Sequence, residues 1–245
     1  MAVAEQPAPV APLRRRVARA AAVLLALCVA AGASLYVTLP GVGDAARRVA
    51  AGLRAHGGTP TAVPPPRRIA TAVVAVEDER YWHHGAIDPV AIARAAVEGV
   101  AHPGRDSGGS TIAQQLAKVL YLHGADDPVA TLKAVGLAFK LEHRWPKARI
   151  LAFYLDSVYF GHGHWGIAAA SRGYFHTPPV RLSWGEASLL AGLPQAPSAD
   201  DPVLHFAAAR ARQRDVLRQL VANHDLTRAQ AAAAYAHTPR PFSSR

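Results

Sequence analysis

The chain has 245 residues, of which 51% are hydrophobic, and a formal net charge of +10. Since single domains mostly contain ~50 to 250 residues, this length accommodates one sizeable domain and an extra segment, whereas two full domains would barely fit. The single cysteine excludes an intramolecular disulfide. Abundant alanine and the scarcity of alternating Val, Ile and Thr runs predict an all-α fold.

The first predicted element is an apolar run from Ala20 to Leu39. As a helix its twenty residues extend ~30 Å, about the thickness of a bilayer hydrocarbon core. Four arginines directly precede it: Arg14, Arg15, Arg16 and Arg19. By the positive-inside rule, this arrangement predicts a cytoplasmic basic tail over residues 1–19, one transmembrane helix over 20–39 and an extracytoplasmic remainder.

Two other interpretations of the apolar run stay open. Ala31-Gly32-Ala33 is similar to the cleavage site of a signal peptide, and Leu25-Ala26-Leu27-Cys28 is similar to a lipidation site, although Leu27 is bulky for one. In each case the rest of the chain is exported. Beyond the run, 23 basic residues exceed 16 acidic ones. This surplus suits anionic lipids or a pyrophosphate as well as nucleic acid, so charge alone selects no partner.

Residues 40–66 are predicted to form a juxtamembrane segment and linker. The stretch from Asp44 to Ala55 has helical spacing, and it fits a helix on the membrane surface and an ordinary solvated helix equally well. Pro64-Pro65-Pro66 then interrupts any helix, because proline lacks the backbone N–H.

One domain of five to eight helices is predicted from residue 67 to residue 240. Asp-Pro pairs, which cap and start helices, precede two apolar segments at Val90–Val100 and Val129–Arg144. Two further helices are predicted to begin at Ser183 and Thr227, each of which is followed three residues later by the Glu or Gln of a capping box.

The first cluster with chemical potential follows the apolar run Ile69–Val76 and comprises residues 77 to 84, Glu-Asp-Glu-Arg-Tyr-Trp-His-His. Ionised groups at the edge of an apolar interior are costly unless they are paired or used. Partial burial at such an edge raises a carboxyl pKa, which would suit a carboxylate of this cluster to act as a general base. A solvated turn after a core helix explains the charges equally well.

The second cluster comprises residues 108 to 118, Gly-Gly-Ser-Thr-Ile-Ala-Gln-Gln-Leu-Ala-Lys. The glycines let the backbone wrap closely around a ligand, and Ser110 or Thr111 can cap a helix whose exposed N–H groups favour anions. Gln114 and Gln115 suit sugar hydroxyls or amides, and Lys118 is positioned one turn later to reach a phosphate. The lysine spacing is not that of a P-loop.

Together these clusters resemble the first two motifs of the peptidoglycan glycosyltransferases of family 51, the transglycosylase domain of class A penicillin-binding proteins. The similarity rests on Glu77-Asp78, Tyr81, His84 and residues 108–118. It continues in collinear order over residues 65 to 235. The later matching segments are Lys147, Ile150–Asp156, Tyr159–Gly161, Gly166-Ile167, Tyr174-Phe175, Glu186, Leu190–Pro197 and Asp201-Pro202.

The resemblance implies a lysozyme-like helical lobe with a smaller membrane-associated jaw region. It implies an inverting transfer in which the 4-hydroxyl of an incoming lipid II attacks the growing lipid-linked chain and releases polyprenyl pyrophosphate. Glu77 corresponds to the general base and Asp78 to its support. The residues that correspond to the substrate-binding cleft are His84, Ser110, Thr111, Gln114, Gln115, Lys118, Lys133 and Lys140.

The resemblance also bears on cofactors, partners and location. It implies no tightly bound cofactor and allows only a divalent cation, Mg or Mn, on the substrate pyrophosphate. No protein-bound metal is expected, because no carboxylate–histidine spacing in the sequence matches a zinc site. The implied partners are lipid II, the nascent glycan strand, the bacterial inner membrane and other wall-synthesis proteins, with no nucleic acid. No Ser-x-x-Lys or Lys-Thr-Gly occurs, which is typical of monofunctional members.

One departure from the family pattern concerns catalysis. Counting back from Ile150 without a gap, Ala134 occupies the position of the glutamate in the third motif, and Glu142 lies ~12 Å further along the same predicted helix. This leaves a lipid II-binding scaffold with degraded catalysis as an alternative. A lytic enzyme, which also needs one carboxylic acid, is disfavoured by the second cluster, the anchor and the basic residues.

Overall fold

The computed structural model describes residues 11–101 and 108–242, so residues 1–10 of the predicted basic tail lie outside the described part. Within it the chain forms α-helices, two short 3₁₀ helices and no strand, which confirms the all-α class. The helices are α1 Ala11–Thr38, α2 Ala45–Ala55, α3 Arg67–Glu77, α4 Pro89–Ala101, α5 Ile112–Tyr121, α6 Pro128–Arg144, α7 Lys147–Ser157, α8 Ile167–Phe175, α9 Trp184–Ala191, α10 Phe206–Ala222 and α11 Arg228–Ala236.

The chain divides into two compact units between Pro40 and Gly41. The first consists of α1, in which Arg15–Thr38 has a mean hydropathy of 2.2 and is long and apolar enough to cross a membrane. The helix continues N-terminally to Ala11, so the last residues of the predicted tail are helical too.

The second unit includes the segment that the sequence indicates as juxtamembrane and linker. Asp44 precedes α2, and α2 turns Ala45, Val49 and Leu53 inward on one face, which packs against α7 and α5. Tyr121 on α5 donates a hydrogen bond of 2.9 Å to Asp44. The helix expected from Asp44 to Ala55 is therefore present, and it is one of the packed helices of the lobe.

Two groups of helices form the lobe and meet around the ends of α3 and α5. In one group α3 packs against α9 and α10, and α11 also packs against α9 and α10. In the other group α5 packs against α6 and α7. Small inward residues such as Ala70, Ala72 and Ala75 let α3 lie close to its neighbours. The C-terminus of α3 and the N-terminus of α5 are thereby fixed side by side.

The predicted helix starts are confirmed by their caps. Asp127 accepts hydrogen bonds from the N–H groups of Val129 and Ala130, and Ser183 and Thr227 both form complete capping boxes. The described residues after 66 form nine α-helices rather than five to eight. Helices such as α8 were missed because Gly166 precedes α8 without a side-chain cap, so no polar signal marks its start.

Candidate active site

Glu77, the last residue of α3, is partly buried. Its Oε2 accepts a hydrogen bond of 2.9 Å from Gln115 Nε2, whereas Oε1 is enclosed and has no hydrogen-bond partner among the described residues. Burial raises the pKa of the Glu77 carboxyl, and the Gln115 hydrogen bond and the charge of Arg212 oppose this rise. A carboxylate with a raised pKa and one free oxygen is suited to accept a proton.

Gln115 is held at both ends of its amide group. While Nε2 donates to Glu77, Oε1 accepts a hydrogen bond of 2.9 Å from the hydroxyl of Tyr154 on α7. Burial raises the pKa of Tyr154 well above its usual value, so the hydroxyl keeps its proton and remains a donor. The three side chains form a chain of hydrogen bonds that fixes the orientation of the Glu77 carboxylate.

Asp78 connects the first cluster to the start of α5. Its Oδ2 accepts a 3.0 Å hydrogen bond from the N–H of Ile112, and its Oδ1 lies 2.6 Å from His84 Nε2. Burial raises the pKa of the Asp78 carboxyl, and the Ile112 N–H and His84 lower it. His84 Nδ1 lies 2.7 Å from the carbonyl of Gly85, so His84 faces Asp78 and its own loop and supports the carboxylate.

The N-terminus of α5 is anchored to the loop that follows the first cluster. Thr111 is the N-cap and donates a 3.1 Å hydrogen bond to the carbonyl of Ala86, and Gln114 Nε2 donates to the same carbonyl at 2.8 Å. Gly108 and Gly109 precede them with φ of +63° and +134°, which side-chain-bearing residues rarely adopt. The two predicted clusters thus form one structural unit.

Two adjoining cavities share Glu77 and the segment Gly108–Ser110 in their walls. The larger one, of about 550 Å³, is also lined by Gln114, Gln115, Lys118, Asp126, Thr131, Val135, Gln195 and Arg212. The smaller one, of about 180 Å³, is also lined by Asp78, Glu79, Asp88, Arg94, Thr111 and Gln219. The structure therefore brings most of the candidate residues together in one cleft.

The lysines differ in their position relative to this cleft. Lys118 lines the larger cavity, where it is paired with Asp126. Lys133 and Lys140 are both on α6 but are not among the residues that line either cavity, and the α6 residues that do so are Thr131 and Val135. Substrate binding by Lys133 and Lys140 therefore stays a prediction.

Ala134 is completely buried at the packed side of α6, with no exposed surface. Because Thr131 and Val135 face the larger cavity, α6 contributes no carboxylate to the walls of that cavity. Asp126 is an acidic residue that lines the larger cavity, and its carboxylate is paired with Lys118.

Gln195 and Arg212 were missed as site residues. Gln195 lies in the Leu190–Pro197 segment, which carries part of the family resemblance. This match could have identified Gln195 as a candidate site residue. Arg212 lies on α10, three residues after Ala209 and four before Val216, both of which are buried. Helical periodicity therefore marks Arg212 as inward-facing among the arginines of α10.

Comparison with known proteins gives a consistent result. A family model described as Transglycosylase matches residues 59–221. Penicillin-binding protein 1A of Aquifex aeolicus is 41% identical over 156 residues, which is 64% of this chain and 22% of that protein. Penicillin-binding protein 1A of Vibrio cholerae is 35% identical over 72% of this chain and 21% of that protein, and penicillin-binding protein 1F of Bacillus subtilis is 38% identical over 62% and 21%. The chain thus matches about a fifth of the length of these relatives.

Proposed function

Since this chain belongs to the transglycosylase family, we propose that it polymerises lipid II into the glycan strands of peptidoglycan. The observation that carries the proposal is the state of Glu77. Its carboxyl group is desolvated and oriented through Oε2 by Gln115, its Oε1 has no hydrogen-bond partner among the described residues, and Glu77 lines a cavity of about 550 Å³. Such a group is suited to general base catalysis on a sugar hydroxyl.

In the proposed reaction the 4-hydroxyl of the incoming disaccharide gives its proton to Glu77 Oε1. The hydroxyl oxygen forms a bond to the anomeric carbon of the growing chain, and the bond from that carbon to the pyrophosphate breaks with inversion. Lys118 and the glycine-rich segment before α5 face the same cavity and suit the negative charge that develops on the leaving group. Asp78 holds the start of α5 in position through the Ile112 N–H.

The proposal includes a membrane location, because the substrate carries a lipid. Helix α1 is long and apolar enough to anchor the chain in the bacterial inner membrane, and the arginines at its start favour a cytoplasmic N-terminus. The proposed partners are lipid II, the nascent strand and other wall-synthesis proteins. A divalent cation, Mg or Mn, would accompany the substrate pyrophosphate.

A second candidate function is a scaffold that binds lipid II without polymerising it. The buried Ala134 favours this candidate, because α6 offers no carboxylate to the larger cavity where the family pattern has a glutamate. The intact hydrogen-bond chain at Glu77 favours the enzyme.

The test is polymerisation of labelled lipid II by the detergent-solubilised full chain, with Glu77→Gln as the matched variant. We expect polymer that lysozyme digests from the wild type and none from Glu77→Gln, with lipid II binding retained in both. Binding without polymer in the wild type would replace the enzyme by the scaffold. Absence of binding would reject both candidates.

A further inference from the structure

Two enclosed polar atoms without hydrogen-bond partners belong to side chains in the wall of the larger cavity. Among the described residues, Glu77 Oε1 and Arg212 Nε both lack a partner, and Glu77 and Arg212 line the same cavity from α3 and α10. Enclosed polar groups are nearly always satisfied in folded proteins, so two such atoms around one cavity mark a place with a function.

The two side chains interact through charge without forming an ion pair. The positive charge of Arg212 acts on the Glu77 carboxyl, yet no ion pair joins them among the described residues, and the carboxylate nearest to the Arg212 guanidinium is Asp215 at 4.0 Å. A direct ion pair would occupy the lone pairs of Oε1. A cation at longer range stabilises the carboxylate and leaves the lone pairs of Oε1 unpaired.

Gly192 explains how the Arg212 side chain is held. A Cβ atom at residue 192 would lie 2.7 Å from Arg212 Cγ and 3.5 Å from its Cβ, so the stem of Arg212 lies directly against the glycine. The φ of Gly192 is −78°, which any residue can adopt. The glycine is therefore needed for the space that it leaves and not for its backbone freedom.

We propose that Arg212 is a positioning residue for the base: seated against Gly192, its guanidinium is the cation of the cavity wall that favours the charged form of the Glu77 carboxyl group without pairing with Oε1, the oxygen that takes the acceptor proton. The inference rests on the proposed function, in which Glu77 is the general base. It assigns to α10 a part in the reaction, although α10 lies far along the chain from both sequence clusters.

Other charged groups surround the pair and define what a substitution changes. Asp78 adds a negative charge beside Glu77, and Tyr154 lies on its far side, beyond Gln115. The charged or titratable residues that share a cavity with Glu77 are Asp78, Glu79, Asp88, Arg94, Lys118, Asp126 and Arg212, and those that act on Arg212 are Asp200 and Asp215. Two of these cations form close ion pairs, Arg94 with Glu79 and Lys118 with Asp126. Among the residues named here, Arg212 is the cation without a close ion pair, since its distance to Asp215 is 4.0 Å.

The experiment compares the wild type with Arg212→Gln, Arg212→Lys and Gly192→Ala, each as detergent-solubilised full chain. The matched control is Arg214→Gln, which removes a cation from the same helix; Arg214 is exposed and donates a hydrogen bond to the hydroxyl of Tyr235. The first readout is the pH dependence of lipid II polymerisation. The second is the pH dependence of carbodiimide labelling of Glu77, measured by peptide mass spectrometry, because this reagent reacts with the protonated carboxyl and needs no turnover.

We expect Arg212→Gln to move the acidic limb of the rate profile and the labelling midpoint upward by about one pH unit, as loss of a nearby opposite charge does. Arg212→Lys should move both by less, Gly192→Ala should move both in the same direction, and Arg214→Gln should move neither. A uniform loss of rate with an unmoved labelling midpoint would overturn the inference. If the wild type makes no polymer, the proposed function fails while the labelling midpoints still decide the role of Arg212.

Discussion

Tyr154→Phe tests the hydrogen-bond chain that orients the proposed base. The substitution removes only the hydroxyl of a side chain that is 1% exposed, so packing is preserved and Gln115 Oε1 loses its 2.9 Å donor. Loss of one hydrogen bond of this kind costs about 1 kcal/mol of unfolding free energy. For a domain of this size that corresponds to a fall in Tm of about 2–4 °C, measurable by circular dichroism.

The same substitution should also slow polymerisation. When Gln115 Oε1 has no hydrogen bond from residue 154, the Gln115 amide can rotate away from Glu77 Oε2. The Glu77 carboxylate then loses its fixed orientation. If the whole of this ~1 kcal/mol is lost from the transition state, the rate falls about fivefold. The assay is the initial rate of labelled lipid II polymerisation at a temperature well below the lower of the two Tm values.

Tyr159→Phe is the control for Tyr154→Phe. The Tyr159 hydroxyl accepts a 3.0 Å hydrogen bond from the exposed N–H of Gly163, where water can replace it, so we expect a cost below about 0.5 kcal/mol and an unchanged rate. A Tyr154→Phe variant with wild-type Tm and wild-type rate would refute the reasoning. A lowered Tm with a full rate would show that Glu77 is oriented without the tyrosine.

Three further outcomes follow from the structure. Burial raises the pKa of Glu77 in the folded state above its value in the unfolded chain, so the folded state binds the proton more tightly. The contribution of Glu77 to the free energy of unfolding is therefore highest at acid pH, and it falls as the pH rises from the unfolded pKa through the folded pKa. Glu77→Gln should therefore unfold at a higher temperature than the wild type at neutral pH, and the difference should vanish at acid pH; a lower Tm at neutral pH would contradict this. Gly161 has a φ of +83°, and a Cβ there would meet the Pro197 carbonyl at 2.5 Å, whereas Gly163, with a φ of +79°, has open space. Gly163→Ala should cost about 1 kcal/mol in a urea titration and Gly161→Ala at least twice as much, and equal costs would exclude the contact as the cause. Ala134→Glu, which inserts the carboxylate of the family's third motif at a position with no exposed surface, should destabilise the lobe by about 3 kcal/mol, and a stable variant that polymerises faster would show that this side chain reaches the cleft.

Local chemistry explains why many elements were predictable from the sequence. Asp127, Ser183 and Thr227 mark helix starts because a side-chain oxygen satisfies N–H groups only two or three residues away. The length and polarity of residues 20–39 indicate a long apolar helix in the same direct way. The resemblance gave Glu77 the role of general base and placed Gln115 in the substrate-binding cleft, and the two side chains are hydrogen-bonded in the structure.

Contacts between distant residues determined the rest of the site. His84 was expected to bind substrate, yet its ring faces Asp78; Lys133 and Lys140 lie on the expected helix but outside the cavity walls. No local pattern shows that Tyr154 meets Gln115 or that Gly192 makes room for Arg212. A cap or an apolar run is determined by neighbours in the chain, so the sequence alone determined the capped helices, the long apolar helix and the location of the acidic and glycine-rich clusters. The protonation and orientation of Glu77 depend on burial, a distant amide and a distant cation. Only the packing of α3 against α10 and the hydrogen bond from Gln115 on α5 bring these together.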